Sequence, residues 1–274
     1  MPSTHATAIL TILGSGTLVP DAERRSAAHH LKTGSASLLM DCGSGTLHGL
    51  AEHGVEWERL THVAISHFHN DHVGDLAALL FAFKHGTAVP RTMPLTLLGP
   101  PGFRRVLEGL AAALGEHVLH PGFDVDVVEL DRHGVFAEAG GAFTLRCFPT
   151  PHTDESVAFA VEGPWGSLGY TADTGPSAEV AQFLSGSGVL IAECALTDPP
   201  EVEFHLSPRG LAEIAGVVGP DLLVVTHVYA PQAPSEAVKR VRERYAGRTV
   251  AAVDGLRVRI AGADVTVDLP GRPV

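Results

Sequence analysis

The stretch that most constrains the fold is His67-Phe68-His69-Asn70-Asp71-His72, with Val73-Gly74-Asp75 directly after it. Its four metal-donor candidates, His67, His69, Asp71 and His72, stand at i, i+2, i+4 and i+5. They follow an apolar, β-branched run, His62-Val63-Ala64-Ile65-Ser66, which reads as a strand entering a turn. No regular element puts all four on one side. In a helix His67 and His69 point roughly opposite ways, and in a strand His72 falls on the wrong face. A turn wrapped around an ion solves this. Imidazole and carboxylate suit Zn²⁺, Mn²⁺ or Fe²⁺, with zinc bonds of about 2.0–2.2 Å. The competing reading is a histidine-rich surface loop, since 16 histidines in the chain make some clustering expected. Two interlocked His-x-His-type pairs around an aspartate at a strand end weigh against it.

A metal loop needs a scaffold, and the remaining pattern supplies strands and helices in both halves. Strands are expected at Ala6–Leu13, as a hairpin at His30–Thr33 and Ser37–Asp41, and at Leu95–Gly99, Val125–Leu130, Phe143–Phe148, Val157–Val161 and Leu168–Tyr170. Further strands are read at Val189–Ala192, Asp221–Thr226, Thr249–Val253, Arg257–Ile260 and Val265–Leu269. Asp21–Ala28 reads as polar and exposed. The glycines of Asp41-Cys42-Gly43-Ser44-Gly45-Thr46 permit close backbone approach, and a helix starting at Leu47 stops at Gly54. Helical spacing marks Leu76 to Gly86 and a core stripe of Phe103, Val106, Leu107, Leu110 and Leu114. Short helices are expected near Ser177–Leu184 and from Ser207-Pro208 to Val218. Pro234–Tyr245 is a basic amphipathic helix whose Lys239, Arg240, Arg242 and Arg244 read first as a solvated face. No linker-like tract or short repeat divides the chain, so one domain spanning 1–274 is expected, with two packed sheets and outer helices.

Composition narrows the class. Apolar residues make up 45% of the 274 and charged ones 18%, enough for a sizeable core. The net charge, 19 minus 31 or −12, argues against a large nucleic-acid footprint while leaving room for a local basic patch. Cys42, Cys147 and Cys194 are odd in number and widely spaced, which suits reduced thiols and a cytoplasmic location. Met1-Pro2-Ser3-Thr4-His5 has no basic leader pattern, and no stretch approaches the roughly 20 apolar residues of a membrane span.

One loop cannot complete two metal shells, so other strand ends must contribute. His152 in Phe148-Pro149-Thr150-Pro151-His152-Thr153, Asp173 at the end of Gly169-Tyr170-Thr171-Ala172-Asp173, and His227 at the end of Leu222-Leu223-Val224-Val225-Thr226-His227 each follow or end an apolar run. Singly each is an ordinary cap or turn residue. Together with the central loop they provide the donors that a dinuclear site needs.

The order Asp41-x-Gly, His67-x-His-x-Asp-His, His152, Asp173, His227 resembles the five motifs of the metallo-β-lactamase fold over nearly the whole chain. Leu13-Gly14-Ser15-Gly16-Thr17, Asp41-Cys42-Gly43-Ser44-Gly45-Thr46, and His205-Leu206-Ser207 followed by Leu211-Ala212-Glu213-Ile214-Ala215 resemble its ribonuclease Z branch. The resemblance implies a four-layer αββα sandwich with two mixed sheets and the site at one edge. It implies His67, His69 and His152 on one metal, Asp71, His72 and His227 on the other, Asp173 bridging, and Asp41 bracing the loop. It also implies that His205 contacts the phosphate or acts as general acid, and by family analogy a homodimer. Glu193, ending the strand before His205, is a candidate to hydrogen-bond to His205 or to a ligand histidine.

Two divalent ions about 3.5–4 Å apart hold a bridging hydroxide as nucleophile at neutral pH, which Asp71 would orient. A bridging carboxylate in place of a thiolate keeps the site hard, so zinc, manganese and iron all remain open and a β-lactamase activity is disfavoured. In ribonuclease Z proper a long tRNA-binding arm lies between the motif histidine and the bridging aspartate; here only residues 153–172 intervene. The leading expectation is therefore a phosphodiesterase acting on a small, short or cyclic phosphodiester. The alternatives are a hydrolase of carboxylic esters, thioesters, lactones or sulfate esters on the same metals, a tRNA 3′-processing endonuclease, and a non-catalytic metal-binding scaffold.

Overall fold

The computed structural model describes residues 6–270, so the pentapeptide 1–5 and the last four residues of the expected 1–274 domain lie outside the described residues. The first half of the chain builds β1 (Ala8–Gly14), β2 (Ala28–Thr33), β3 (Ala36–Met40), α1 (Thr46–Glu52), β4 (His62–Ala64), α2 (Asn70–Val73), α3 (Leu76–His85), β5 (Leu95–Gly99), α4 (Phe103–Leu114) and β6 (Val125–Glu129). The second half builds β7 (Val135–Ala137), β8 (Thr144–Pro149), β9 (Val157–Gly163), β10 (Gly166–Tyr170), α5 (Ala178–Phe183), β11 (Val189–Glu193), α6 (Pro208–Val218), β12 (Leu222–Thr226), α7 (Pro234–Arg242), β13 (Thr249–Ala251), β14 (Arg257–Ala261) and β15 (Asp264–Asp268).

These strands form two mixed sheets. The first has the order β15-β14-β1-β2-β3-β4-β5-β6 and the second β13-β12-β11-β10-β9-β8-β7. Period-two alternation explains how they face each other: Ala8, Leu10 and Ile12 of β1 turn inward to meet Phe159, Val161, Leu168, Ile191 and Val224 of the opposite sheet, while Leu13 turns outward beneath the helices. Trp165, fully buried, plugs this inner layer and donates its indole N–H to Ala142 O at 3.1 Å. The outer face of the first sheet is covered by α1, α3 and α4, and that of the second by α5, α6 and α7. The result is the expected αββα sandwich. In α6 the sequence signals hold in detail. Ser207 accepts the N-cap hydrogen bond from Gly210 N–H, Gly219 closes the helix in the left-handed region, and Leu211, Ile214, Ala215 and Val218 form the buried stripe.

Three local expectations are corrected. Leu114 is 58% exposed and not core, because it sits at the last position of α4, beyond the sheet that the helix covers. Residues 21–28 are not uniformly exposed. Ala27 and Ala28 are buried, and Arg25 is tied back by its backbone N–H and guanidinium to Asp254 at 2.9 and 3.1 Å. Strand β7 was not anticipated: it is a three-residue edge strand, too short for an alternation to show, with Phe136 alone turned against the core. Among the described residues no helix is long and apolar enough to cross a membrane, and Cys42, Cys147 and Cys194 are all buried and unbridged.

Direction is what positions the site. β3 and β4 run parallel in the first sheet, and β10, β11 and β12 run parallel in the second, with β8 in the same sense through two antiparallel steps. Their C-terminal ends all meet at one edge of the sandwich, where loops leave the strands.

Candidate metal centre

At that edge the central loop leaves β4 and runs extended through His67-Phe68-His69 before one helical turn, α2, presents Asp71 and His72. The anticipated turn is thus a loop plus a short helix. It reaches its place because Gly43 lets Asp71 O approach so closely that a Cβ at position 43 would fall 2.0 Å from it. Cys42 N–H donates to His72 O at 2.7 Å, locking the loop against the end of β3.

All seven predicted donors converge. His67 Nε2 and His69 Nδ1 are 3.1 Å apart, and His69 Nδ1 and His152 Nε2 are also 3.1 Å apart. Two donors on one tetrahedral zinc stand roughly 3.3 Å apart, so these nitrogens have the spacing of edges of a coordination polyhedron. In the second group His227 Nε2 lies 3.2 Å from Asp71 Oδ2, with His72 Nε2 3.9 Å from the same oxygen. Asp173 stands between the two triads. Its Oδ2 faces His152 Nε2 at 3.6 Å and His67 Nε2 at 3.9 Å, and its Oδ1 faces His72 Nε2 at 3.3 Å and His227 Nε2 at 3.6 Å. One carboxylate oxygen is directed at each triad.

These residues fit divalent cations on grounds independent of their spacing. His72 Nε2 and Asp173 Oδ1 are buried without a hydrogen-bond partner, a cost of about 1–3 kcal/mol each that coordination would remove. Burial, with the neighbouring imidazoles, holds His67 well below its ordinary value, so the ring is neutral with a lone pair to offer. Burial works against charge on His72 as well, yet Asp173 and Asp41 outweigh it and raise the ring well above its ordinary value. Asp173 is likewise held low despite burial, by His227 and His72. The centre thus favours positive charge, and the donors are nitrogen and oxygen with no thiolate among them.

Comparison with known proteins agrees. Residues 37–228 match the model of the Beta-lactamase superfamily domain. Ribonuclease Z of Mycobacterium sp. (strain KMS) is 31% identical over 248 residues, covering 83% of this chain and 86% of the relative. The chain belongs to the metallo-β-lactamase superfamily, in its ribonuclease Z-like branch. The metallo-beta-lactamase fold protein YhfI from Bacillus subtilis superposes with a TM-score of 0.79 at 22% identity, over 92% of this chain and 99% of that one. The short form of human tRNase Z superposes with a TM-score of 0.72 at 21% identity, over 91% and 98%. As a member of this family the chain is a metal-dependent hydrolase.

Around the donors, the superfamily framework is rigid. Asp41, fully buried, accepts from Ser66 N–H at 2.7 Å, Ser66 Oγ at 2.9 Å, His72 Nδ1 at 2.8 Å and Tyr170 OH at 2.7 Å. It therefore braces the loop as anticipated, fixing which nitrogen of His72 faces the centre. His67 Nδ1–H donates to Ser66 Oγ at 3.0 Å, so Ser66 relays the same support to the other triad. Asp41, Ala172 and His227 all sit at positive φ, at 58°, 49° and 53°, and all lie just beyond the ends of strands that feed the site. Each costs on the order of 1–3 kcal/mol and persists only because its surroundings over-determine it.

His205 and Glu193 form a buried pair. Glu193 Oε1 accepts from His205 Nδ1–H at 2.9 Å and from Thr174 N–H at 2.8 Å, while Oε2 accepts from Ala195 and Leu206 N–H, both at 3.1 Å. One donor nitrogen of His205 comes within 4.8 Å of Asp173 and His227. Burial lowers the His205 ring, but the Glu193 hydrogen bond and the surrounding carboxylates outweigh it and hold the ring above its ordinary value. Glu193 is 1% exposed and turns Oε1 to His205.

Tyr170, Ser66, Ser15 and Asp254 were missed by sequence reasoning. Asp254 Oδ1 accepts from Ser15 N–H and Oγ at 2.9 and 2.8 Å, and Ser15 O in turn accepts from His227 N–H at 3.2 Å and Thr226 Oγ at 3.3 Å. This chain of bonds sets the backbone of Thr226 and His227 from a loop that lies 211 residues from Thr226 in sequence. Only the Leu13-Gly14-Ser15-Gly16-Thr17 stretch, read as a family resemblance, had drawn attention to Ser15.

Proposed function

We propose that the chain is a single-domain, dinuclear phosphodiesterase related to ribonuclease Z, acting on small or short phosphodiesters. In this reading His67, His69, His152 and one oxygen of Asp173 hold one cation, and Asp71, His72, His227 and the other oxygen hold the second, with zinc the best match to a four-donor N/O set. When bound, such cations bring the pKa of water toward neutrality and neutralise charge on phosphate oxygens. Asp71 accepts the hydrogen bond that aims the attacking water. His205 supplies a proton to the leaving oxygen, and Glu193 at 2.9 Å fixes its tautomer and steadies its positive charge.

The His205–Glu193 pair is the observation that carries the reading, because a donor beside the metals serves an alkoxide leaving group on phosphorus. Between His152 and Asp173 the chain forms the β9–β10 hairpin, which supports activity without a long tRNA-binding arm. A second reading, a tRNA 3′-processing endonuclease, draws support from the relatives named ribonuclease Z.

The test is a hydrolase panel on zinc- and manganese-reconstituted protein: bis-p-nitrophenyl phosphate, cyclic nucleotides, a lactone, a thioester and a pre-tRNA. Cleavage of the phosphodiesters is expected, with His205→Ala lowering turnover roughly 10²–10⁴-fold at unchanged metal content. Inert phosphodiesters alongside a cleaved lactone or thioester would overturn the reading. Endonucleolytic cutting of the pre-tRNA at its 3′ end would select the second.

A further inference from the structure

A cavity of about 210 Å³ lies on the outer face of the first sheet, and none of the seven donors lines it. Its floor is set by strand register. Arg257, Thr11 and His30 form one rank across β14, β1 and β2, and Ile9, Lys32 and Ser37 form the next across β1, β2 and β3. Period-two alternation turns Ile9 and Thr11 to the face that Leu13 shares, beneath the helices. The wall is the chain that leaves α1. Val55 N–H donates to Leu50 O and Thr61 N–H to Ser37 O, both at 2.9 Å, and between these ties Val55 and Arg59 line the space. Ser37 stands near the start of β3, four residues or roughly 13 Å of strand before Asp41, so the cavity is separate from the metal edge.

Two polar atoms on this floor lack partners. Thr11 is 3% exposed and His30 5%, yet Thr11 Oγ1 and His30 Nδ1 make no hydrogen bond among the described residues. Neither atom is sealed in the interior as the two nitrogens of His29 are, so each opens into the space that its residue lines. His30 Nε2 lies 2.8 Å from Ser37 Oγ. Burial holds the ring at about 4, so it is neutral near pH 7; with Ser37 Oγ–H donating to Nε2, its one proton sits on Nδ1 and faces the cavity. Thr11 and His30 are directly opposed across the ladder, with Cβ atoms about 4.5–5.5 Å apart. An O–H and an N–H at that spacing reach the two oxygens of one carboxylate. Around them stand Lys32, Arg59 and Arg257, none within 4.0 Å of a carboxylate oxygen among the described residues. Lys32 Nζ donates to Ser35 O at 3.5 Å and Arg257 to His53 O at 2.5 Å. Glu56 is the one acid on the lining, which leaves three minus one, or two, net positive charges in a chain of net charge −12.

We infer that this cavity is a second binding site, separate from the metal centre, for a small carboxylic acid with a compact apolar body. Thr11 and His30 take the two oxygens of the carboxylate, the three cations supply the field that draws it in, and Ile9 and Val55 pack the body. A phosphate fits less well, because two buried donors leave its other oxygens unserved in a partly apolar space. At roughly 30 Å³ for each water, the cavity holds about seven waters, a volume that suits a ligand on the order of ten non-hydrogen atoms. The site does not depend on which ester the metal centre cleaves.

Titration calorimetry with benzoate, and with benzamide as its uncharged counterpart, tests this near pH 7 in about 0.15 M salt on zinc-reconstituted and chelator-stripped protein. Benzoate is expected to bind with a Kd below about 1 mM in both preparations, and benzamide roughly ten-fold more weakly. Thr11→Val keeps the side chain's shape and removes its hydroxyl, and should weaken benzoate about three- to ten-fold. The double variant Lys32→Ala, Arg59→Ala should weaken it roughly ten-fold, whereas Arg240→Ala on α7 should match the unaltered protein. Arg59 is exposed and Lys32 half-buried, so the double variant carries the test if Thr11→Val disturbs β1, as circular dichroism would show. No benzoate binding, equal binding of benzamide, or a double-variant Kd within two-fold of the unaltered protein would overturn the inference. So would an equal loss with Arg240→Ala, or binding that vanishes with the zinc, which would put the acid on the metals.

Discussion

The two donor triads share Asp173 but are built differently. In the triad of Asp71, His72 and His227 every side chain is buried, and His72 is backed by a carboxylate that itself takes four hydrogen bonds. In the triad of His67, His69 and His152 the backing groups are neutral, Ser66 Oγ behind His67 and Phe204 O behind His152, and His69 is exposed. A charged, fully buried brace raises the basicity of the ligand it holds and resists its rotation more than a neutral one does. The triad of Asp71, His72 and His227 is thus the anchored half of the site and that of His67, His69 and His152 the accessible half.

Several measurements would break or sharpen this contrast. The largest effect is expected from Asp173→Ala, which removes a donor from both halves at once. Turnover should fall by roughly 10³-fold or more and metal analysis should show loss at both positions. Retention of full occupancy would mean that Asp173 is not shared. Asp41→Asn keeps the shape of the brace and removes its charge; affinity for the more tightly held metal should drop about 10–100-fold, measured by competition with a chelator. His69→Ala should act on one half alone, lowering the metal content from about two equivalents to about one while the second triad stays loaded. An equal loss of both ions would show that the halves are not separable.

The smallest effect is a stability control that lies outside both triads. Burial holds His30 at about 4 against an ordinary 6.5, so the folded ring refuses a proton that the unfolded chain accepts. Its contribution is fully present above pH 6.5 and is lost as the pH falls from 6.5 toward 4, to a total of up to about 3 kcal/mol. His30→Gln should flatten the dependence of unfolding free energy on pH across that window, measured in denaturant, without altering metal content. An unchanged slope would place the acid sensitivity in other groups, among them His29, which burial also holds at about 4.

Much of the site was legible before any tertiary contact was known. His67, His69, Asp71 and His72 are incompatible with one face of any regular element, and that incompatibility points to an ion. His152, Asp173 and His227 were visible because each follows or ends an apolar run, and strand ends are where open α/β sheets place their chemistry. The link from Glu193 to His205 was suspected from order alone and proved direct.

Periodicity and spacing along the chain marked most of the strands and helices, the two-sheet class and seven candidate donors, because those signals are local. Only the tertiary structure decided that Asp173 turns one oxygen to each triad, that Tyr170 and Ser66 brace Asp41, and that Asp254 sets His227 through Ser15. Those contacts join residues many tens of positions apart through single polar atoms. A lone serine, tyrosine or aspartate has the same appearance in sequence whether it faces water or closes a buried network.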